Sequence, residues 1–120
     1  MSRVFLTCHD PAFSQKLRVS FEVELGFEVC GDETDEVEAI RKATTLDPDL
    51  VVLEIDSSGG NSMLIAEAIK LTLPEVPLFL VTAQNSMQAE KDALNLGVDA
   101  VFEKEDYASL LLNARAAVVP

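Results

Sequence analysis

The 120-residue sequence is poor in basic residues and cysteine, and it has no long apolar run. Nine Lys and Arg stand against 21 Asp and Glu, and the formal net charge of −12 repels phosphate backbones and anionic membrane surfaces. Cys8 and Cys30 are too few for a disulfide-built secreted scaffold and belong to no CxxC pair, so a reducing, cytoplasmic setting is expected. No segment has the roughly 18 consecutive apolar residues that span a bilayer, and residues 1–13 lack the features of a signal peptide. The composition therefore argues against direct nucleic-acid binding and against a membrane protein.

The glycine patterns that hold nucleotides are also missing. The chain contains neither GxGxxG nor GxxxxGK[ST], and its one glycine pair, Gly59-Gly60, follows the third predicted strand. After the first predicted strand comes Cys8-His9-Asp10-Pro11, which is not the Ser/Thr/Gly-rich loop of a flavin site. A flavodoxin-like domain that binds a small ligand stays an alternative, and we predict no catalytic residues and no enzyme activity.

Five short apolar runs alternate with longer amphipathic stretches. They are bounded by turn formers and predict five strands at Val4–Thr7, Phe27–Cys30, Leu50–Leu53, Leu78–Val81 and Ala100–Phe102. Continuous apolar runs are typical of parallel strands that are covered on both faces. The second run alternates between apolar and polar residues, which places it at an edge of the sheet.

The intervening stretches predict five helices. Asp10 and Pro11 form a helix start, and Gly26 ends that first helix. The five predicted core-facing stripes are Phe13, Leu17 and Phe21; Val37, Ile40 and Thr44; Ile65, Ala68, Ile69 and Thr72; Ala89, Ala93 and Leu96; and Tyr107, Leu110, Ala114 and Ala117. Five strand–helix units without a linker predict one domain over residues 1–120, an α/β fold with a doubly wound, five-stranded parallel sheet.

Three segments carry a resemblance to a known family. Pro48–Glu54 is similar to the third strand of the receiver domains of bacterial response regulators, Leu80–Ala83 to the fourth, and Leu96–Ala100 followed by Lys104 to the fifth. The resemblance covers the whole chain and implies two-component or phosphorelay signalling, with the flavodoxin-like strand order 2-1-3-4-5. In that family an acidic pair after the first strand holds Mg²⁺, and an Asp at the end of the third strand accepts the phosphoryl group. A Ser or Thr after the fourth strand and a Lys after the fifth then hold its oxygens.

This sequence departs from the family pattern at the positions that carry the chemistry. Glu54 occupies the acceptor position, and its extra methylene displaces the carboxylate by about 1 Å, enough to cost on the order of 100-fold in rate. Cys8 and His9 occupy the acidic-pair positions, although Mg²⁺ prefers oxygen ligands. Asp10 is best explained as a helix cap, and Val101 replaces the switch aromatic. We therefore expect a pseudo-receiver with weak or absent Mg²⁺ binding and no other cofactor.

Thr82 and Lys104 match the positions that hold the phosphoryl oxygens. Glu54 could accept the charge of Lys104 and keep the site in one state, or it could be an inert acid at the open end of the sheet. In a competing hypothesis Glu54, or Asp56 two residues later, still accepts phosphate. A further hypothesis has Cys8 and His9 bind zinc together with Asp10 or Glu54, but neighbouring strand residues point to opposite faces.

Protein partners of a signalling pathway are the expected ligands. The resemblance implies that the fourth helix, fifth strand and fifth helix form the contact surface. The fifth predicted helix has three consecutive leucines, and one core-facing stripe cannot bury all of Leu110, Leu111 and Leu112. We therefore predict a homodimer or docking face on this helix. The acidic residues between Glu28 and Glu38 favour a solvated face, or alternatively a surface for a basic partner.

Overall fold

Strands and helices alternate along the chain in the computed structural model, which describes residues 1–33, 35–55, 60–84 and 87–118. The elements are β1 (Arg3–Thr7), α1 (Pro11–Val19), a π-helical turn (Ser20–Glu24), β2 (Glu28–Asp32), α2 (Glu36–Leu46), β3 (Leu50–Ile55), α3 (Gly60–Thr72), β4 (Leu78–Thr82), α4 (Met87–Asn95), β5 (Ala100–Glu103), a 3-10 turn (Lys104–Asp106) and α5 (Tyr107–Ala117). The strands are parallel in the order β2-β1-β3-β4-β5. This confirms the predicted fold and strand order. No helix in the described part of the chain is long and apolar enough to cross a membrane.

Side chains that alternate along the central strands supply a hydrophobic core on each face of the sheet. Val4 and Leu6 of β1 pack with Leu17 of α1 and Leu110 of α5 in the first core cluster, which also contains Phe13 and Phe21. Phe5 belongs to the second cluster, which packs against α2, α3 and α4. Because β1, β3 and β4 are covered on both faces, their apolar runs are continuous. The stripe predicted for the first helix is confirmed.

The core-facing stripe predicted for the second helix is confirmed only at Ile40, which packs against the second core cluster, and is wrong at Val37 and Thr44, which are exposed. Val37 is 72% exposed, whereas Ala39 and Ala43 are buried and Leu46 is half-buried. A Cβ added at Gly31 of β2 would lie 2.8 Å from Leu46 Cδ1 and 2.8 Å from the ring of Phe5. A side chain at Gly31 would therefore collide with Leu46 and Phe5, while α2 buries its small residues Ala39 and Ala43 and leaves Val37 in solvent. The strand itself lies later than predicted, at Glu28–Asp32 instead of Phe27–Cys30.

The core buries more of the three consecutive leucines of α5 than the sequence predicted. Leu110 and Leu111 are both buried in the first core cluster, and Leu112 is 70% exposed. The core thus absorbs two of the three leucines, because neighbouring helical positions lie only about 100° apart on the helix surface. Leu111 is a core residue and cannot form part of a docking face.

Candidate functional site

The candidate site lies at the carboxyl ends of β1, β3 and β5, where Asp10, Glu54 and Lys104 come close together. β3 lies between β1 and β4, with Leu53 opposite Thr7 and Glu54 opposite Val81. Lys104 comes directly after β5, and Asp10 immediately precedes α1. The open end of a parallel sheet is where α/β proteins place their ligands.

Glu54 is the centre of this cluster. Its Oε1 atom accepts hydrogen bonds from the backbone N–H of His9 (2.7 Å) and of Asp10 (3.0 Å). Its Oε2 atom forms an ion pair with Nζ of Lys104. The Glu54 side chain is only 7% exposed, so its charge is stabilised by these donors more than by water. We call Glu54, Lys104 and the two backbone amides the carboxylate clamp.

Lys104 is held from three sides. Besides Glu54, its Nζ lies 3.5 Å from Asp10 Oδ2 and 5.1 Å from the centroid of the Phe13 ring. Partial burial opposes the charged form of Lys104, but hydrogen bonding and Coulombic attraction to Glu54, with a smaller contribution from Asp10, outweigh it and raise the pKa of Lys104. Lys104 therefore carries its charge across the neutral range. Of the two alternatives that the sequence left open for Glu54, the structure has the ion pair with Lys104.

Asp10 has the capping role that the sequence predicted. Its Oδ1 atom accepts from the backbone N–H of Ala12 (3.0 Å) and Phe13 (3.5 Å) at the start of α1. Some desolvation opposes ionisation, but these two hydrogen bonds and the charge of Lys104 lower the pKa of Asp10. The cap fixes the start of α1, and with it the loop whose amides bind Glu54.

Cys8 and His9 lie in different environments. Cys8 is 1% exposed and belongs to the first core cluster, whereas His9 is exposed. Burial, reinforced by the negative charges of Glu54 and Asp32, raises the pKa of Cys8 to about 12, so its thiol stays protonated at neutral pH. Because a metal binds the thiolate, this environment disfavours the zinc hypothesis. Among the residues that the structure describes, no group of three His, Cys, Asp or Glu could hold a metal ion.

The two cysteines carry free thiols on opposite faces of the sheet. Cys8 packs in the first core cluster, and Cys30 packs against the second. The sheet itself separates the two sulfur atoms, so the fold opposes a disulfide between Cys8 and Cys30.

Two of the remaining predicted positions, Thr82 and Val101, lie on neighbouring strands of the sheet. Thr82, at the end of β4, is 3% exposed, and its hydroxyl donates to the backbone oxygen of Gln84 (3.1 Å). Val101 is half-buried and packs against the second core cluster. Asp56 lies outside the described residues.

The family model of the response regulator receiver domain matches residues 4–115. The chain belongs to the response regulator receiver domain family. It is therefore a receiver domain of two-component signalling, and the resemblance inferred from the sequence is confirmed at that level.

Two kinds of relative resemble this receiver domain. A Pseudomonas aeruginosa protein named "Putative transcriptional regulator" is 28% identical over 119 residues, which are 98% of this chain and 57% of the relative. The chain thus spans little more than half the length of that protein. A LuxR-family two-component response regulator from Aurantimonas superimposes with a TM-score of 0.86 at 21% identity, covering 98% of this chain and 85% of the other. The chemotaxis protein CheY4 of Vibrio cholerae gives 0.84 at 17% identity, covering 99% of each chain. At these identities the structural likeness shows the fold.

Sequence reasoning about this receiver domain missed two parts of its site. The first is the pair of backbone amides at His9 and Asp10, which carry no side-chain signal. The second is Ser14, a buried α1 residue whose hydroxyl donates to Asp32 Oδ2 (2.6 Å) at the end of β2. Ser14 and Asp32 line a cavity of about 250 Å³ beside Cys8. The sequence signal for this part of the site was the polar Ser14 directly after the predicted core residue Phe13.

Proposed function

We propose that this receiver domain acts as a phosphorylation-independent protein-interaction module and not as an enzyme. The single observation that carries the proposal is the carboxylate clamp, in which both oxygens of Glu54 are already bound. Oε1 accepts two backbone N–H groups and Oε2 pairs with Lys104. The position that resembles the phosphoacceptor is thereby occupied as a structural carboxylate.

The clamp opposes phosphoryl transfer at Glu54. An attacking carboxylate needs an oxygen lone pair directed at phosphorus, and donors bound to its oxygens make it a weaker nucleophile. Here any attack that moves the 7%-exposed carboxylate away from Lys104 or from the two amides separates a buried charge from its partners. Removing one partner from a buried charge is costly, because the remaining charge is poorly solvated.

The same residues do not fit Mg²⁺. A magnesium ion requires oxygen atoms that offer electron pairs, in near-octahedral geometry. The groups that surround the Glu54 carboxylate are donors with positive charge or partial charge: the backbone N–H groups of His9 and Asp10 and the ammonium of Lys104. The nearby Cys8 thiol is protonated, because its pKa is raised to about 12. Like charges repel strongly in a partly desolvated site. The proposal accordingly contains no step that involves a metal.

The output of such a module is contact with other proteins. The clamp ties the loop before α1 to the ends of β3 and β5, so it would hold the receiver in one charge-neutralised state without modification. We propose the face of α4, β5 and α5 as the contact surface, with exposed Met87, Leu94 and Leu112 as its apolar residues, and a homodimer as one partner. The net charge of −12 supports protein contacts over nucleic-acid contacts by this domain. The cytoplasm, where thiols stay reduced, is the compartment we propose.

Intact mass after incubation with acetyl phosphate and Mg²⁺ tests the proposal. We expect no phosphoryl adduct on the wild-type chain. An adduct that disappears in Glu54→Gln would overturn the proposal and identify Glu54 as an acceptor. An adduct that survives in Glu54→Gln but disappears in Asp56→Asn would also overturn it and identify Asp56.

A restoration variant provides the positive control. Replacing Cys8, His9 and Glu54 together by Asp should restore Mg²⁺ binding and an adduct if these three positions alone block the chemistry. If the folded triple variant does neither, the inferred correspondence of Thr82 and Lys104 with the family positions is wrong.

A further inference from the structure

The donors around Glu54 form a binding site in their own right. Two backbone N–H groups, from His9 and Asp10, and the Nζ of Lys104 all point to one carboxylate. Lys104 keeps its position through Asp10, whose Oδ2 lies 3.5 Å away, and through the face of the Phe13 ring. The amides are fixed because Asp10 also caps α1. The donors are thus positioned by contacts that do not depend on Glu54 alone.

We propose that this end of the sheet is an anion site, with the side chain of Glu54 as its resident ligand, and that it binds a free carboxylate once that side chain is shortened. The inference rests on the proposed function in one respect: both require that the site favours negative charge over Mg²⁺. It goes further by assigning the ligand class, a small carboxylate such as acetate.

The geometry matches a carboxylate specifically. Such a group presents two oxygens in one plane, and here one oxygen takes the two amides while the other takes the ammonium. Charge-assisted hydrogen bonds of this kind are about twice as strong as neutral ones. Substitution Glu54→Ala keeps Cβ and removes the CH₂–COO⁻ portion of the side chain, which has the size and charge of acetate. The variant therefore contains a cavity that acetate fits, lined by two amides that have lost their acceptor and by Lys104, whose remaining partner is Asp10.

Thermal unfolding of the full chain as a function of acetate concentration tests the proposal. With chloride at equal ionic strength as the reference, acetate should raise the Tm of Glu54→Ala saturably and leave the wild type unchanged, because Glu54 already fills the site. The double variant Glu54→Ala/Lys104→Met is the matched control, since it lacks the charged donor. We expect its acetate affinity to be about tenfold to hundredfold weaker.

Two outcomes would overturn the inference. One is an equal acetate effect in the wild type, the single variant and the double variant, which would show a general solvent effect. The other is saturable stabilisation of Glu54→Ala by Mg²⁺ and not by acetate, which would make the site a cation site.

Amide hydrogen exchange provides a second measurement if Glu54→Ala unfolds too easily for thermal analysis. His9 and Asp10 precede α1, and their amides are bound by Glu54 in the wild type. Their protection should fall in Glu54→Gln, whose neutral amide is a weaker acceptor, while the amide of Ser14, bound to Asp10 O within the first turn, stays protected. Unchanged protection at His9 and Asp10 would contradict the anion site.

The proposed function and the anion site can be refuted independently of each other. An acetyl phosphate adduct on the wild type together with acetate binding by Glu54→Ala refutes only the proposed function. No adduct together with no acetate binding by the folded variant refutes only the anion site.

Discussion

The carboxylate of Glu54 forms an ion pair with the ammonium of Lys104 across β4, the strand that separates β3 from β5 in the sheet. The pair joins residues 54 and 104, which meet only because the carboxyl ends of parallel strands lie at one edge. With side-chain exposures of 7% and 24%, the pair is desolvated enough for its loss to be measurable.

Removing the cation should destabilise the fold. We expect Lys104→Met to lower the free energy of unfolding by about 1–3 kcal/mol, because it leaves the Glu54 charge buried with only its two amide donors. Glu54→Gln should cost less than Lys104→Met, since the amide oxygen of Gln can still accept from the backbone and Lys104 keeps its contact with Asp10. Urea unfolding measures both effects, with Lys91→Met on the exposed side of α4 as the control. Equal stabilities for Lys104→Met and Lys91→Met would contradict the importance of the clamp.

The contribution of Lys104 should disappear at high pH. The folded-state pKa of Lys104 is raised above its ordinary value of 10.5, so the folded state binds the proton more tightly than the unfolded state does. Its stabilisation is therefore complete below pH 10.5 and is lost as the pH rises through the higher, folded-state value. The stability difference between wild type and Lys104→Met, from urea unfolding at increasing pH, should be constant near neutrality and shrink above pH 10.5. A difference that shrinks between neutral pH and pH 9 would point to another titrating group.

The two cysteines should differ in their reactivity with thiol reagents. Cys8 is 1% exposed with a pKa raised to about 12, so it offers neither access nor thiolate, whereas Cys30 is only half-buried. We expect the native protein to be labelled first at Cys30 and to react at Cys8 only after unfolding. Peptide mass mapping identifies the site, and Cys30→Ala should remove the fast reaction while Cys8→Ala keeps it. Labelling of both residues at one rate in the native state would show that Cys8 is accessible.

Substitutions at the adjacent residues Leu111 and Leu112 of α5 should have different effects, one on stability and the other on self-association. Leu111→Arg places a charge in the first core cluster and should cost about 3 kcal/mol or more, whereas Leu112→Arg, at a 70%-exposed position, should change stability by about 0.5 kcal/mol or less. Leu112→Arg is therefore the variant that tests the proposed contact face. Sedimentation at high concentration should show weaker self-association for it than for wild type. Unchanged association would exclude this part of α5 from a dimer interface.

The fold was predictable because its signals are local and repeated. Continuous apolar runs marked the covered strands, and Asp10 before Pro11 marked the start of α1. The second helix was predicted wrongly at Val37 because large apolar residues usually face a core, whereas here Ala39 and Ala43 are buried and Val37 is exposed. Apolar periodicity favours the face with the larger side chains and does not show which face packs against the sheet.

The candidate site was predictable only where side chains carry it. The positions of Glu54 and Lys104 at the ends of the third and fifth strands predicted that they could meet, because strand ends lie at one edge of a parallel sheet. The amides of His9 and Asp10 were missed, since every residue except proline has such a group and its direction depends on the loop.

The sequence by itself determined the α/β class, the order of the strands and helices and the residue types at the end of the sheet, because hydrophobic periodicity and helix caps act over a few residues. Only the tertiary structure decided that Cys8 is buried and His9 exposed, that Leu111 belongs to the core, and that three donors surround the carboxylate of Glu54. These properties depend on distances between segments far apart in the chain and on exclusion of water, which arise only when the strands and helices pack together.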